Sequence, residues 1–413
     1  MIERITIENF KSLKSVDLNL GRLNLFIGTN ASGKSNFFDA LRVLQGIGYG
    51  FTFHEILDGK PKSATSEVWE GVRGGSGFAT FREPDSSERR RVPNIRFKVE
   101  LASDEDSTTT FEIAINAQRG CVREERLFTD GDIYNSKPDK GPIRNDVDSA
   151  FFEVRYYTGG SGRQPQPQYE KSKAVLHQIS RALETSEEDR KVIRAVARKL
   201  SNMQRVDPLP SILRGYSMAH EIARMGEHGE NFAALIKSIT GDDANGEAFV
   251  TWLRELRPAE VDKVLTLEGA VKEPMFALQE TGRSTPFPAP VLSDGTLRFA
   301  AITAAFFQPD MPEVLTIEEI ENGIHPGRMR LLLELLRNRA GQAGTQVMAT
   351  THSPWLLDWL SEEEWQTTFF CHRDPESGAS TISPLPEIPG FQEAAEKGHI
   401  GELLAEGWMD FAL

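Results

Sequence analysis

The stretch "FIGTNASGKSN" at residues 26–36 constrains the fold of this chain more than any other. It fits the pattern G-x-x-x-x-G-K-[ST] at Gly28, Gly33, Lys34 and Ser35. The apolar run "LNLF" precedes it and the helical pattern "NFFDALRVLQ" follows it. A strand, a glycine-rich loop and a helix in this order are the context that a phosphate-binding loop requires. The stretch therefore predicts an α/β fold whose phosphate loop lies near the N-terminus.

The residue types of this loop suit the recognition of a triphosphate. Glycines let backbone N–H groups turn inward around phosphate oxygens, and the helix N-terminus adds a partial positive charge. Lys34 would reach the β- and γ-phosphates, and the Ser35 hydroxyl would ligate Mg²⁺. A chance match or a purely structural turn is the competing interpretation, and the strand–loop–helix context disfavours it.

Length and charge exclude few function classes. The 413 residues could form two or three domains, and the net charge of −14 argues against a chain coated in positive charge for nucleic-acid binding. A local basic patch remains open. Cys121 and Cys371 are expected to be free thiols, since two cysteines make neither a disulfide framework nor a thiolate metal site. The longest apolar stretch, "FAAITAAFF", is far short of the ~20 residues that span a membrane, so we expect a cytoplasmic protein.

Three parts are predicted along the chain. Residues 1–165 would hold the phosphate loop and an antiparallel β-lobe, whose strands include "NIRFKVELA", "TTFEIAINAQ" and "CVREERLFT". Residues 166–285 would form a helical lobe with "KAVLHQISRALE", "DRKVIRAVARKL", "NFAALIKSI" and "AFVTWLREL", followed by a strand pair in "TLEGAVKEPMFALQE". Residues 286–413 would complete the nucleotide-binding domain with the strands "EVLTIEEIENGIHP" and "TQVMATTHSP", the helix "MRLLLELLRNRA" and a final hairpin.

Two carboxylates end the first of these late strands. Glu318 would hold the Mg²⁺ hydration shell, and Glu319 would polarise an attacking water as general base. A carboxylate suits both tasks because, when ionised, it only accepts hydrogen bonds. Solvated glutamates at a strand end are the alternative for this stretch taken alone.

Two further candidates lie on either side of these carboxylates. In "LSDGTLR", Ser293 can cap a long apolar helix, and Gly295 leaves backbone N–H groups uncovered, which makes a second anion-binding helix start or a plain helix cap. In "VMATTHSP", His352 ends a strand, where its imidazole could contact the γ-phosphate or the attacking water. A hydrogen-bonded loop histidine is the alternative.

The order of these motifs resembles the ATP-binding-cassette ATPases, and within them the RecF, SMC and OLD-like branch found in DNA repair and phage defence. "ITIENFKSLK", "LFIGTNASGKSN", "LSDGTLRFAAI", "TIEEIENGIHP" and "ATTHSPWLL" carry the resemblance over essentially the whole chain. It implies an α/β P-loop NTPase of cassette type with a β-lobe and a helical lobe, ATP and Mg²⁺ as ligands, and ATP hydrolysis.

The same resemblance implies roles for individual residues. Glu319 and the switch histidine His352 would be catalytic, and Ser35 and Glu318 would hold the metal. The implied nucleotide contacts are Lys11, Gly28, Asn30, Ser32, Gly33, Lys34, Ser35, Asn36, Ser293 and Gly295. The glutamine that often completes the metal site is assigned to Gln178, with Gln164, Gln166 and Gln168 as rivals.

The chain departs from the branch at two positions beside the catalytic carboxylate. Glu318 stands where an aspartate is usual, which lengthens the arm toward the metal by one methylene. Ile320 stands where a proline is common.

The resemblance also implies an ATP-closed homodimer or higher oligomer, in which each site pairs one subunit's phosphate loop with the other's Ser293 helix start. The implied function is a motor or switch in DNA repair or anti-phage defence. Arg89 to Arg91 and the stripe Arg190, Arg194 and Arg198 are candidate DNA contacts, or simply solvated side chains. The alternative is a slow nucleotide-dependent scaffold that holds or releases an effector protein, such as a nuclease or toxin.

Two other functions are disfavoured by the sequence. A transporter ATPase is disfavoured by the "NFKS" start and by the large insertions. A built-in metal-dependent nuclease is disfavoured because the 61 residues after His352 contain no D-x-D pair, and the matches that begin at Asp104, Asp130 and Asp146 fall in loops of the β-lobe.

Overall fold

The computed structural model describes residues 1–61, 69–83, 92–102, 107–136, 149–156, 167–179, 186–218, 222–256, 261–342, 344–397 and 400–405. The chain divides into two compact units. The first unit comprises Met1–Gly21, Gly28–Met203 and Phe369–Pro384, and the second comprises Arg22–Ile27, Gln204–Thr368 and Leu385–Leu413. The domain boundaries placed after residues 165 and 285 stay predictions.

The described residues form the following strands and helices. The strands are β1 Ile2–Phe10, β2 Leu13–Asn19, β3 Leu23–Gly28, β4 Ile95–Ala102, β5 Thr108–Asn116, β6 Cys121–Phe128, β7 Asp132–Asn135, β8 Phe151–Glu153, β9 Arg155–Tyr156, β10 Gln168–Glu170, β11 Met203–Val206, β12 Val261–Glu268, β13 Pro274–Glu280, β14 Phe287–Pro288, β15 Val314–Ile317, β16 Gln346–Thr351, β17 Thr368–Arg373 and β18 Ser380–Pro384. The helices are α1 Lys34–Tyr49, α2 Phe53–Asp58, α3 Gly75–Phe78, α4 Val175–Ile179, α5 Glu187–Ser201, α6 Pro210–Leu213, α7 Phe232–Thr240, α8 Asp243–Leu256, α9 Asp294–Ala305, α10 Met329–Gln342, α11 Glu362–Trp365, α12 Phe391–Lys397 and α13 Ile400–Ala405.

The first unit contains the predicted antiparallel β-lobe. Among the described residues its main sheet has the order β2-β1-β4-β5-β6-β7-β9. Apolar and polar residues alternate along its strands, so that each strand buries one face: in β4, Ile95, Phe97 and Val99 are buried. Arg96, which lies between two of them, is exposed and forms an ion pair with Glu124 of β6 at 3.0 Å. The hairpin of β17 and β18 also forms as predicted, and β18 packs beside β2.

Helix α1, which follows the phosphate loop, packs against α5. A Cβ at Gly48 would overlap the backbone of Ala197 and Ser201, so this glycine permits the close approach of the two helices. Helix α5 begins at the Ser186 cap, which accepts from Asp189 N–H. It buries Ile193, Val196 and Leu200, as the periodicity of "DRKVIRAVARKL" predicts.

Helix α2 is an element that the sequence analysis missed. Thr52 accepts from Glu55 N–H, and the Glu55 carboxylate accepts from Thr52 N–H, which is a complete capping box. The T-x-x-E spacing in "TFHE" is the signal that indicates this helix start.

The second unit is built on parallel strands. β15 pairs with β16 and β16 pairs with β3, both in parallel, and β11 lies beside β15. Every residue of β15 and β16 is buried, as expected for parallel strands covered on both faces. The carboxyl ends of the three paired strands therefore lie at one edge. β12 and β13 form the predicted strand pair, with β14 alongside.

No helix of the described residues is long and apolar enough to cross a membrane.

Glu125 is a buried carboxylate that joins β6 to α4. Its two oxygens accept from Val175 N–H and Leu176 N–H at 2.7 Å each and from the Tyr134 hydroxyl at 2.8 Å. Complete burial outweighs these three donors and raises the pKa of Glu125 from 4.5 to about 7.

Glu125 should make the stability of the first unit depend on pH. An acid whose pKa is raised on folding binds more protons in the folded state between its two pKa values, so its stabilising contribution is present below about 4.5 and is lost as the pH rises through about 7. Relative to Glu125→Gln, the wild-type protein should lose about 2.5 kcal/mol of unfolding free energy between pH 5 and pH 8. Urea denaturation at the two pH values measures this change.

The comparison uses the change with pH and not the absolute stability, because the side-chain amide of the glutamine variant would set a donor against one of the N–H groups. Glu112→Gln, on the neighbouring strand β5, controls for the loss of one carboxylate from the same sheet. Parallel pH profiles of the wild-type protein and Glu125→Gln would contradict the role assigned to Glu125.

Candidate functional site

The phosphate loop of the first unit is organised around Lys34. Its ammonium donates to the carbonyl oxygens of Gly28 at 2.7 Å and Thr29 at 2.8 Å, and lies 3.4 Å from Ser32 Oγ. The Lys34 side chain is buried, and Ala31 takes a left-handed φ of 64° so that the loop can close around it. The loop thus holds one cation at its centre, immediately before the N–H groups of α1.

Glycine is required at both ends of this loop. A Cβ at Gly28 would overlap the carbonyl oxygen of Cys371 in β17, and a Cβ at Gly33 would overlap the side chain of Ser380 in β18. Gly33 also has a φ of 110° at the position that starts α1. Both glycines are therefore required because β17 and β18 lie directly against the loop.

A cationic cavity adjoins the first turn of α1. It has a volume of about 420 Å³, and Ser35, Asn36 and Ser12 line it together with the cations Lys11, Arg73, Arg82 and Arg373. Asp39 is buried on α1 and pairs with Lys11, and it lies 3.5 Å from Arg73 Nε. Burial lowers the pKa of Lys11, and the Asp39 carboxylate opposes that shift. Lys11, Ser35 and Asn36 thus line one cavity, and the role of Lys11 as a nucleotide contact stays a prediction.

The second unit brings Glu319 and His352 together. They follow the neighbouring parallel strands β15 and β16, and His352 Nε2 lies 3.9 Å from Glu319 Oε1. Glu319 has a left-handed φ of 48°, and its N–H donates to Thr350 Oγ1 at 2.8 Å. Its carboxylate is half exposed and accepts from Asn322 Nδ2 at 3.3 Å. The carboxylate is thus accessible to solvent while its backbone is held.

Ile320, one of the two departures from the branch, has a structural reason. Its side chain is fully buried, and its N–H donates to the Thr350 carbonyl at 3.1 Å. A proline at this position could not make that hydrogen bond.

Glu318, the other departure, pairs with a guanidinium. Arg205 Nη2 lies 2.9 Å from Glu318 Oε1, and the Glu318 side chain is only 13% exposed. A carboxylate oxygen of this kind suits a hard divalent cation such as Mg²⁺. Among the described residues, no cluster of three or more His, Cys, Asp or Glu side chains forms an alternative metal site.

The helix start at Ser293 has the predicted cap. Ser293 Oγ accepts from Thr296 N–H at 3.3 Å, and Arg214 fixes the start by pairing with Asp294 at 2.5 Å. Ser293 is exposed and, with Gly295, lines a cavity of about 610 Å³. A Cβ at Gly295 would overlap the carbonyl of Gly323, so α9 touches the loop after Glu319 backbone to backbone.

The glutamines considered for the metal site lie in different parts of the chain. The Gln178 amide donates to the Glu170 carbonyl and accepts from Glu170 N–H, which commits it to joining α4 to β10; its role at a metal stays a prediction. Gln168 lies in β10, whereas Gln164 and Gln166 lie outside the described residues.

The roles of the predicted DNA contacts and of the D-x-D matches stay predictions. Arg194 and Arg198 are exposed on α5, while Arg190 lies 3.5 Å from Glu187, and Arg89 to Arg91 fall outside the described residues. Asp130 is exposed in the turn between β6 and β7, and Asp104 and Asp146 also fall outside the described residues.

Several residues that support the site were not predicted from the sequence. Arg298 is buried and donates to the carbonyls of Pro208 at 2.7 Å and Glu319 at 3.3 Å. Asp39, Arg73, Arg205 and Thr350 were also missed. Arg298 follows Ser293 by five residues and could have been noticed as a charge within an otherwise apolar helix, whereas nothing in the sequence pairs Arg205 with Glu318.

Known proteins of two kinds resemble this chain. A curated protein of Helicobacter pylori (strain ATCC 700392 / 26695), described as an ATP/GTP phosphatase, is 23% identical over 414 residues, which cover 90% of this chain and 92% of that protein. The solved Smc head bound to the C-winged helix domain of ScpA has a TM-score of 0.50 at 13% identity, covering 92% of this chain and 96% of that one. The Smc head with an extended coiled coil, bound to the C-terminal domain of ScpA derived from Pyrococcus furiosus, has a TM-score of 0.50 at 12% identity, covering 96% and 99%.

At such low identity the structural likeness establishes the fold alone, and it confirms the predicted SMC-like P-loop ATPase fold with its β-lobe. The sequence evidence goes further, because one family accounts for residues 23–358, from β3 through the Glu319 and His352 motifs. The chain therefore belongs to the family described as "AAA domain, putative AbiEii toxin, Type IV TA system".

Proposed function

We propose that this protein is an ATPase that closes as a dimer on ATP and acts as a switch or motor in DNA repair or anti-phage defence. The observation that carries the proposal is the Lys34 ammonium, which the phosphate loop holds at its centre in front of the N–H groups of α1. That arrangement is the one a P-loop uses to bind a triphosphate. The description of the Helicobacter pylori relative as an ATP/GTP phosphatase supports hydrolysis.

Glu319 is the general base of the proposed reaction. Its strained backbone supports this assignment, because a non-glycine residue at positive φ costs about 1–3 kcal/mol and is retained where function requires it. His352 stands next to it and can donate to, or accept from, the attacking water or the γ-phosphate. Bound Mg²⁺ would neutralise developing charge on the phosphates, with Ser35 and Glu318 as its proposed protein ligands.

The Ser293 helix start serves the nucleotide of a second subunit in this proposal. It is exposed, capped and positive by its helix dipole, and α9 is long enough to carry that dipole. One nucleotide does not need two helix starts from one chain. Closure on ATP then follows from the contact that the γ-phosphate makes only in the closed state.

ATP-driven closure of the proposed dimer could serve one of two functions, action on DNA or control of an effector protein. The exposed Arg194 and Arg198 on α5 favour DNA contact, whereas the family description, which names a putative toxin of a type IV toxin–antitoxin system, favours a scaffold that holds or releases an effector protein. We also propose the domain boundaries after residues 165 and 285 and a cytoplasmic location for the protein.

Two variants, Glu319→Gln and Lys34→Ala, should distinguish the loss of ATP hydrolysis from the loss of ATP binding. Glu319→Gln should lower turnover by ~10²–10⁴ while ATP still binds, because only acid–base assistance is lost. Lys34→Ala should lose ATP binding as well, since the central cation of the loop is gone. Calorimetry with ATP and a phosphate-release assay measure the two effects.

Glu363→Gln, an exposed glutamate of α11 in the same unit, is the matched control for charge loss and should behave as the wild-type protein does. Hydrolysis at a near-normal rate by Glu319→Gln would move the base role to another residue, with His352 next. Micromolar ATP affinity in Lys34→Ala would refute the loop assignment.

Ser293→Asp tests the proposed dimer without removing the cap. Aspartate caps helices as well as serine does, so α9 should form normally, but its charge would repel the γ-phosphate of a partner's nucleotide. ATP should bind each subunit, and ATP-driven dimerisation should be lost in sedimentation. Ser293→Asn, which caps without a charge, is the control.

Mixing Ser293→Asp with Lys34→Ala subunits should restore part of the turnover, because one composite site then has both an intact loop and an intact Ser293. Wild-type turnover and ATP-driven dimerisation in Ser293→Asp alone would show that the serine is only a helix cap.

DNA dependence distinguishes the two candidate roles. If the protein acts on DNA, duplex DNA should stimulate turnover, and the effect should fall steeply with salt because phosphate contacts release counterions. Arg194→Gln with Arg198→Gln should weaken the stimulation. Turnover that is slow and indifferent to DNA at every salt concentration would favour the scaffold.

A further inference from the structure

Arg205 stands between two carboxylates in the second unit. It lies on β11, beside β15, and its Nη2 is 2.9 Å from Glu318 Oε1 while its Nη1 is 3.2 Å from Glu227 Oε1. Arg205 Nε is buried and makes no hydrogen bond within the described part of the chain. The two terminal nitrogens alone therefore hold the guanidinium to its acidic neighbours.

The electrostatic attraction between Arg205 and Glu318 is strong because both side chains are largely buried. The side chains are 25% and 13% exposed, so water screens them only in part. Mg²⁺ or its bound water would use the same carboxylate that pairs with the guanidinium. The two positive charges would then repel each other across that carboxylate.

We propose that Arg205 competes with Mg²⁺ for Glu318 and that Glu227 receives the guanidinium when the metal binds. Arg205 is a positioning residue, since it acts through Glu318 and not on the nucleotide. It sets the Mg²⁺ concentration at which Glu318 takes up the metal. This inference rests on the proposed function, because it takes Glu318 to be a metal ligand.

The presence of Glu227 predicts that removing Arg205 and removing the Glu227 charge shift the Mg²⁺ requirement in opposite directions. Without Arg205 the metal has no competitor, so Mg²⁺ should bind at lower concentration. Without the Glu227 charge the guanidinium loses its alternative partner and stays on Glu318, so Mg²⁺ should be needed at higher concentration. An ion pair that only stabilises the fold would give the two variants no opposite shifts.

The test titrates Mg²⁺ against the binding of a fluorescent, non-hydrolysable ATP analogue to the full chain, and reads the Mg²⁺ concentration at half of the metal-dependent gain in binding. Arg205→Met should lower this concentration about tenfold, which corresponds to ~1.4 kcal/mol. Glu227→Gln should raise it. Arg224→Met is the matched control: Arg224 is 24% exposed in the same unit and also lies 2.9 Å from a carboxylate, that of Asp310.

An unchanged or higher Mg²⁺ requirement in Arg205→Met, with wild-type circular dichroism, would overturn the inference and leave the proposed function intact. If Arg205→Met does not fold, Glu227→Gln decides alone: a raised requirement supports the competition, and an unchanged or lowered one refutes it. Absence of any Mg²⁺-dependent binding by the wild-type protein would instead refute the proposed function, and the inference with it.

Discussion

The parallel pairing of β3, β16 and β15 is the constraint on which the candidate site of the second unit depends. Because both faces of these strands are covered, the strands contain no charged side chain, and the charged and titratable side chains begin only where the strands end. Register then decides which polar residues meet. Ile317 lies opposite Ala349, so the chain that leaves β15 at Glu318 and Glu319 meets the chain that leaves β16 at His352. The 3.9 Å separation of Glu319 and His352 follows from that pairing.

Local patterns and ordered motifs therefore predicted much of this molecule. The alternation in "NIRFKVELA" located β4, the periodicity in "DRKVIRAVARKL" located α5, and the Ser293 cap was predicted from its residue type at a helix start. Each of these depends on residues within a few positions of one another. The short helix α2 was missed although its capping box is equally local, because the glycine- and serine-rich surroundings favoured a loop.

The contacts that the sequence analysis could not find join distant segments. Asp39 binds a cation at residue 11 and lies near another at residue 73, and Arg205 approaches acids at residues 227 and 318. No periodicity relates such positions, since tertiary packing alone brings them together. The sequence likewise does not show that Glu319 is strained. Its φ becomes understandable only when Thr350 and Arg298 are seen to hold its N–H and its carbonyl.

The restraint on Glu319 has a consequence for how the two predicted halves of a composite site communicate. Arg298 belongs to α9, the helix whose start at Ser293 would meet another subunit's nucleotide, yet it donates to the carbonyl of Glu319, which would act on the subunit's own nucleotide. Gly295 and Gly323 bring the same two segments into backbone contact. A backbone contact this close transmits displacement because it leaves no space in which to absorb it. If the chain closes as the proposed dimer, a shift of α9 would therefore move the backbone of Glu319 and couple the position of the proposed general base to the partner subunit.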